Sequence, residues 1–456
     1  MNKSSRKVMT FDGGIHPVAK GKRLTRDKAV RTAPLLERYT VTLQQNAGKA
    51  PELVVSPGDQ VKKYQLLAKA SGFVSANLHS PTSGTFKGVI NVPGPMGTLV
   101  PALEIVSDGE DSAAPMEPIP DWQNADDAVL LNRVSDAGIV GMGGASFPTR
   151  VKLSIPEGKS VDTLILNGAE CEPFLTADHL LMRETPLKVL TGAAILAKIL
   201  KVKRVFIGVE DNKQDAIAAL ETAASDYGVQ VVPLLVQYPQ GSEKQLIKAL
   251  TGRSVPSGGL PMDAGCVVQN VGTAAAITDA VVWGIPLVER IVTVTGRVLK
   301  NPANWRLRIG TPVMKAIEFC GGVTAEPGKL VLGGPMMGFA QNSYEVPVAK
   351  NTSGILLLPR KQAMNYRTGS CIRCGRCVQG CPMHLTTCLL ATAIEGGRYD
   401  LARQNHVMDC LECGSCAYVC PAHRPLVQIL RMAKAEIRRQ LAEAKAKAEA
   451  DKSKVK

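Results

Sequence analysis

Eight of the twelve cysteines in this 456-residue chain fall in two matched runs near its C-terminal end. The first is Cys371, Cys374, Cys377 and Cys381, followed by Pro382; the second is Cys410, Cys413, Cys416 and Cys420, followed by Pro421. A four-iron, four-sulfur cubane takes four soft thiolate ligands, and two-residue gaps let three of them wrap one face of a cluster from a tight loop. In paired runs of this spacing the fourth Cys ligates the other cluster. The expected assignment is therefore crossed. Cys371, Cys374, Cys377 and Cys420 hold one cluster; Cys410, Cys413, Cys416 and Cys381 hold the other. Each fourth Cys is expected to open the helix that follows, with its Pro in the first turn. A pair of zinc sites is the rival reading, but zinc rarely calls for a third Cys at so short a spacing. Cys171, Cys266, Cys320 and Cys388 have no such neighbours in the sequence and read as buried free thiols.

Cubanes carry single electrons and break no bonds of their own, so a source or sink is needed. The stretch Ile139–Leu153, IVGMGGASFPTRVKL, offers one. Gly141, Gly143 and Gly144 let the backbone approach a ligand closely and turn N–H groups towards a phosphate, and Lys152 adds a point charge. A glycine-rich loop is a weak signal alone, but three more loops follow in order: LILNGAECEP (164–173), YPQGSEKQLI (238–247) and QNVGTAAAI (269–277).

Together these four loops resemble the NADH-binding flavoprotein subunit of respiratory complex I, whose loops read Gly-Arg-Gly-Gly-Ala-Gly-Phe-Pro-Thr, Asn-Ala-Asp-Glu-x-Glu-Pro, Tyr-x-x-Gly-Glu-Glu and Asn-Asn-Val-Glu-Thr. In that family they hold non-covalent FMN, with NADH stacked on it. The resemblance implies that Gly141, Gly143, Gly144, Lys152, Asn167, Gly241, Ser242 and Asn270 hold the phosphate, ribityl chain and ring edge of FMN. It places Phe147 near the nicotinamide or adenine and Glu170 and Glu172 along the pocket. Glu172, and to a lesser degree Glu243, would contact a dinucleotide hydroxyl. The chain departs from the pattern at Met142 for Arg, Ala169 for Asp, and Ser242 and Gly272 each for Glu. Hydride transfer between nicotinamide and flavin asks no side chain for a proton, so no catalytic acid or base is assigned.

A chain of this length exceeds one ordinary core and should divide into several domains. Residues 1–35 are basic and short of helix or strand signals, and read as an extended arm. Residues 36–106 carry short β-rich pieces split by Pro-Gly and Ser-Gly turns, and resemble the barrel-sandwich (biotinyl/lipoyl-like) fold without the Met-Lys-Met tip at which its carriers attach a prosthetic group. Residues 107–125 are acidic and Pro-rich, a linker. Residues 126–285 alternate apolar strands with helical stretches, the pattern of a parallel sheet covered on both faces: a Rossmann-like α/β domain. Residues 286–350 read as an α+β module of the soluble-ligand-binding β-grasp type, residues 351–425 as a bacterial-type double 4Fe-4S ferredoxin domain, and residues 426–456 as an Ala/Lys-rich helical tail.

The net charge of +14 belongs to the two ends: residues 1–31 carry nine Lys/Arg against two acids, and residues 431–456 nine against four. Such ends suit anionic headgroups, an acidic partner or plain solvation. No aromatic-interleaved basic patch marks a nucleic-acid binder. No apolar run is long enough to span a bilayer, and the N-terminus lacks a signal-peptide pattern, so a cytoplasmic protein with peripheral membrane contact is expected.

In this order the GGIHP arm, barrel-sandwich segment, flavoprotein-like domain, β-grasp module and double cubane domain look like the C subunit of the Rnf (Rsx) electron transport complexes. That resemblance implies a peripheral subunit on the cytoplasmic face of a membrane complex. Such a complex couples electron exchange between NAD(H) and ferredoxin-type carriers to Na⁺ or H⁺ movement, with other subunits of the complex as partners. Two other readings share features with it: a soluble corrin reductase of the propanediol-utilisation type, and a non-catalytic iron–sulfur adaptor. The A subunit of the Na⁺-translocating quinone reductase shares the early domains but should lack the paired cysteine runs.

Overall fold

The computed structural model describes residues 8–18, 20–363 and 366–454. The basic start of the arm and the last two residues of the tail lie outside them.

The barrel-sandwich segment packs two antiparallel sheets. One runs in the order Arg38–Thr42, Leu99–Ser107, Gly84–Pro93, Gln60–Val61; the other Glu52–Leu53, Leu66–Lys69, Leu78–His79. Val41, Leu67, Leu78, Phe86, Leu103 and Ile105 point inward and are buried. The linker that follows is laid down rather than free: Ile119 N–H donates to the Val281 carbonyl at 2.8 Å and Trp122 is buried.

The flavoprotein-like domain is built on a four-stranded sheet ordered Gln230–Leu234, Arg204–Glu210, Thr163–Gly168, Cys266–Asn270, parallel throughout. Its strands are continuous apolar runs because helices cover both faces. The chain order along the sheet reverses between Thr163–Gly168 and Cys266–Asn270, and ligands of such sheets bind in the crevice beyond the strand ends at that reversal. Asn167 and Asn270 stand opposite each other in register there. Below the crevice, helices Pro186–Leu200 and Val271–Val282 cross so closely that a Cβ on Gly192 would lie 1.9 Å from the Ala274 carbonyl oxygen. Glycine at that point fixes where the Asn270 end of the second helix lies.

The β-grasp module is a six-stranded sheet ordered Arg31–Thr32, Ala303–Arg308, Glu289–Thr295, Gly354–Pro359, Pro327–Leu332, Phe339–Gln341, packed on helix Val313–Phe319. Two of these strands come from outside the 286–350 span read from the sequence. Gly354–Pro359 pairs between two strands of the module, and Arg31–Thr32 pairs with Trp305 and Arg306. The arm is thus tied along its length: Met9 bridges to Leu234 and Ile15 to Tyr238, and Lys22 donates to the carbonyls of Glu170 and Leu175, both at 2.7 Å.

The cysteine-rich segment is made of short helices around its own buried core, closed by the long helix Leu426–Lys454. No helix among the described residues is long and apolar enough to cross a membrane.

Candidate functional site: a flavin crevice against two cysteine nests

The four loops converge at the strand reversal. The glycine loop is pinned on both sides: Met142 N–H donates to Thr273 Oγ1 at 3.0 Å, Arg290 donates to the Met142 carbonyl at 3.1 Å, and Gly141 N–H closes on the Phe147 carbonyl at 2.9 Å. Gly143 and Gly144 lie exposed at its crest, with Phe147 half-buried beneath. A Cβ on Gly143 would come within 3.0 Å of the Asn270 side chain, while one on Gly144 would meet nothing. Asn167 Nδ2 donates to the Gly241 carbonyl at 2.7 Å, joining the second loop to the third. Asn270 caps its helix by accepting from Gly272 N–H at 2.8 Å and donates to Asp178 at 2.7 Å. Lys152 pairs with Glu243 and reaches the Val268 carbonyl, and Ser242 precedes helix Glu243–Thr251.

Glu170 and Glu172 turn into the protein. The Glu170 carboxylate accepts from Asp178 and His179 N–H (2.8 and 3.2 Å) at the start of helix Ala177–Glu184, where negative charge is favoured. Burial nevertheless pushes its pKa up, opposed by Lys22 and Lys213. The Glu172 carboxylate accepts from Met336 and Met337 N–H (3.1 and 2.8 Å) and so clasps the β-grasp turn; burial raises it to about 7, against the pull of those two donors. Sequence reading missed the charges beneath the crevice. Lys213 is 1% exposed and binds the Ala169 carbonyl (2.7 Å) and Glu210 (3.0 Å). Arg290 holds both the Met142 and the Lys350 carbonyls. Neither residue carries a local pattern that would have marked it.

The residues suit a phosphate-bearing, hydrogen-bonding ligand. Among the described residues, both polar atoms of the wholly buried Gln240 amide, beside Gly241, lack a hydrogen-bond partner, and so do those of Gln269, beside Asn270. Orphaned amides of this kind are rare in a finished interior and common where a ligand completes the wall.

The two cysteine runs repeat one backbone form. Positive φ recurs at matching offsets: Arg373 and Glu412, Gly375 and Gly414, His384 and His423. Alternating hands two residues apart make concave nests of N–H groups, a form used to cradle anionic iron–sulfur clusters. Cys377 and Cys416 lie in single helical turns, Arg376–Gln379 and Ser415–Tyr418. Here the expectation is corrected. Cys381 and Cys420 open no helix but follow these turns, ahead of helices Thr387–Glu395 and Leu426–Lys454. The cause is the Pro after each, which disfavours helical geometry at the Cys before it.

Cys371, Cys374, Cys377 and Cys420 line one pocket, partly open to solvent, and Cys388 lines it with them. The sulfurs of Cys410, Cys413, Cys416 and Cys381 lie close enough to influence one another, and burial first, then these neighbours, raises the Cys416 thiol. The second group is packed against the flavin crevice. Tyr238, 1% exposed, donates its hydroxyl to the Cys413 carbonyl at 2.7 Å while its backbone pairs with Ile15. Gln245 donates to the Pro382 carbonyl at 3.0 Å. Gly13 of the GGIHP arm passes so near the Cys381 carbonyl that a Cβ would lie 2.9 Å from it. Cys371 and Cys374 are exposed; Cys381, Cys413 and Cys416 are buried.

Family models match four successive segments of the chain. Residues 9–110 match the RnfC barrel sandwich hybrid domain, 134–279 the Nuo51 FMN-binding domain, 291–340 the SLBB domain and 363–421 a 4Fe-4S dicluster domain. The chain is 48% identical to the C subunit of the proton-translocating ferredoxin:NAD(+) oxidoreductase complex of Clostridium ljungdahlii, over 94% of each chain. It is 46% identical to the Na(+)-translocating counterpart of Acetobacterium woodii, over 94% of this chain and 97% of that one. It is also 46% identical to the C subunit of the ion-translocating oxidoreductase complex of Rhodobacter capsulatus, over 93% and 82%. Among solved structures, an NAD+-reducing [NiFe]-hydrogenase in the H2-reduced state shares the fold over 71% of this chain and 64% of that one, at a TM-score of 0.50 and 20% identity.

Proposed function

The chain belongs to the C-subunit family of the Rnf-type ion-translocating ferredoxin:NAD(+) oxidoreductase complexes, and from that premise we propose that it is the part of such a complex that meets NAD(H). It is an oxidoreductase subunit, and its cofactors are FMN and two 4Fe-4S clusters. FMN, when bound, exchanges electron pairs with nicotinamide and single electrons with cubanes, a conversion that neither partner performs for the other.

The chain's own part is to bind, orient and exclude water. Gly141, Gly143 and Gly144, with Lys152, would receive the FMN phosphate; Asn167, Gly241, Ser242 and Asn270 would hold the ribityl chain and ring edge. Phe147 would lie under the nicotinamide or adenine. The Lys152–Glu243 pair holds Glu243 beside the residue assigned to the phosphate. Glu170 and Glu172 support the walls through the helix and the β-grasp turn they bind, rather than offering free carboxylates to a dinucleotide. Cys371, Cys374, Cys377 and Cys420 would form one cluster site and Cys410, Cys413, Cys416 and Cys381 the other.

The observation that carries this reading is the Tyr238 junction. The loop that bears Gly241 is hydrogen-bonded to the backbone of Cys413, so the buried cysteine set is the one nearest the flavin crevice. The set containing the exposed Cys371 and Cys374 is then the one that exchanges electrons with the rest of the complex. Attachment would be peripheral, on the cytoplasmic face of the membrane, with the basic ends aiding it. Ferredoxin would be served through the other subunits. Relatives named for proton and for sodium translocation match almost equally well, as expected if other subunits select the ion. The test is anaerobic purification with flavin analysis. One FMN per chain, bleached by NADH, is expected; protein with full iron and no flavin would reduce the chain to an iron–sulfur adaptor.

A further inference from the structure

The two cysteine runs share one backbone form but not one environment. In the second run Leu411, between the first two cysteines, packs against Ile15 of the arm, Tyr238 of the flavoprotein-like domain and Cys413. Glu412 behind it is partly buried and paired with Arg431 and Lys434 (2.8 and 2.7 Å). The matched residues of the first run are Ile372 and Arg373. Ile372 is 67% exposed, and every residue from Tyr366 to Cys374 is exposed with it. Leu389, 65% exposed, follows Cys388 of the pocket wall, so it stands at the rim that Ile372 lines. The segment is held in place: the Tyr366 ring stacks on His423 at 4.3 Å between centroids, and Gly369 N–H donates to the Ala422 carbonyl at 2.9 Å. Charge is one-sided here as well. From 346 to 394 the chain holds no Asp or Glu. Arg367, Arg373 and Arg376 are exposed, and among the described residues none of the three forms an ion pair. Glu395, the first acid beyond the stretch, is taken by Arg424.

We propose that this rim is a docking surface for an acidic protein carrying a one-electron centre near its own surface. Ile372 and Leu389 form the apolar middle of the surface, and Arg367, Arg373 and Arg376 its charged border. The inference deepens the functional reading above, on which it rests for the presence of a cluster in the first-run site. Single exposed apolar side chains are ordinary, but the internal repeat supplies a comparison. The residue matched to Ile372 is covered by another module of the same chain, so the same form left bare calls for a cover from outside. An apolar centre within a polar border is the usual anatomy of a protein interface. Unpaired arginines around it steer an acidic partner and exclude a basic one. Redox encounters bury little area, which suits a rim of this size. One electron leaves the reduced centre on one side and arrives at the oxidised centre on the other; no bond or proton changes place. Anionic headgroups would satisfy the arginines alone, but a redox site sealed against lipid has no acceptor for its electron.

The experiment measures the dissociation constant of the whole anaerobic protein for one probe, a small acidic two-cluster ferredoxin, with iron and sulfide content determined alongside. Wild type should bind it at low salt and at least tenfold more weakly at about 0.3 M salt. Arg373→Glu puts into the first run the residue that the second run carries at the matched position, also at positive φ. It should weaken low-salt binding about tenfold at unchanged iron content. Arg367→Glu, outside the ligand spacing, should weaken binding in the same direction. Ile372→Ser should speed dissociation at every salt concentration. Electron transfer from the reduced ferredoxin to the chain should slow in all three. Lys87→Glu, a charge reversal on an exposed position of the barrel-sandwich segment, should leave the affinity within about twofold. Wild type that does not bind the ferredoxin would overturn the proposal, as would unchanged affinity in both arginine variants or an equal loss in Lys87→Glu. So would arginine variants that lose binding to vesicles of mixed neutral and anionic phospholipid yet keep the ferredoxin, which would make the rim a membrane contact. Wild-type protein that binds the ferredoxin but lacks iron and sulfide for two clusters would instead sink the functional reading.

Discussion

Replacing Gly143 with valine tests the flavin crevice at its tightest point. A Cβ there meets Asn270 Cβ and Nδ2, each at 3.0 Å, and Cγ at 3.2 Å. Asn270 is not free to give way. Its Oδ1 caps helix Val271–Val282, an interaction of about 1 kcal/mol, and its Nδ2 donates to Asp178, a hydrogen bond to a carboxyl group of about 1.5–3 kcal/mol. Displacing Asn270 thus costs roughly 2–4 kcal/mol. The exposed crest of the glycine loop is easier to move, and moving it takes the Gly143 and Gly144 N–H groups away from the phosphate position. FMN should bind at least tenfold more weakly, a loss of about 1.4 kcal/mol or more. The cysteine sites belong to another module and should be untouched. The assay is the dissociation constant for FMN by fluorescence quenching of deflavinated protein, with iron content as control. Wild-type flavin affinity in Gly143→Val would refute the assignment of this loop, and loss of iron with flavin retained would refute the division of labour.

Three further outcomes are expected. Cys420→Ala should remove the cluster served by the first run while the buried second-run cluster keeps its spectrum; loss of the second-run signal alone would show that the assignment is not crossed. Tyr238→Phe deprives the Cys413 carbonyl of a partner, a local cost of about 1–3 kcal/mol. It should slow NADH-driven cluster reduction in rapid-mixing experiments without slowing flavin reduction, and equal slowing of both steps would count against the junction as described. Glu172 has its native pKa raised from 4.5 to about 7 by burial, so its contribution is fully present below about pH 4.5 and is lost as pH rises through about 7. Relative to Glu172→Gln, the wild type should therefore lose roughly 2–3 kcal/mol of stability between about pH 5 and about pH 8. A gain in the thermal midpoint over that range would reverse the argument.

The parts legible in the sequence were those written in local pattern. Apolar runs such as TLILNG and CVVQN became the central parallel strands, and the cysteine spacing produced two matching backbone nests. What could not be read were pairings between distant segments. Arg31–Thr32 and Gly354–Pro359 join the β-grasp sheet from either side of its apparent span because their partners lie far away in sequence. Glu170 and Glu172 looked like pocket acids, since nothing near them announces the helix start and the Met336–Met337 turn that take up their carboxylates. Cys388 looked like an ordinary buried thiol until the fold carried it to the first run. The GGIHP arm, with few helix or strand signals, takes its order from three separate modules.

In the proposed function the flavin crevice and the cysteine nests form one conducting unit. Mixing NADH anaerobically with the whole protein and recording the spectrum of reduced clusters tests it directly. Cluster signals should appear in protein holding FMN, and not in deflavinated protein of the same iron content until FMN is restored. Cluster reduction by NADH at the same rate with and without flavin, or a reduced flavin beside clusters that stay oxidised at favourable potential, would contradict it.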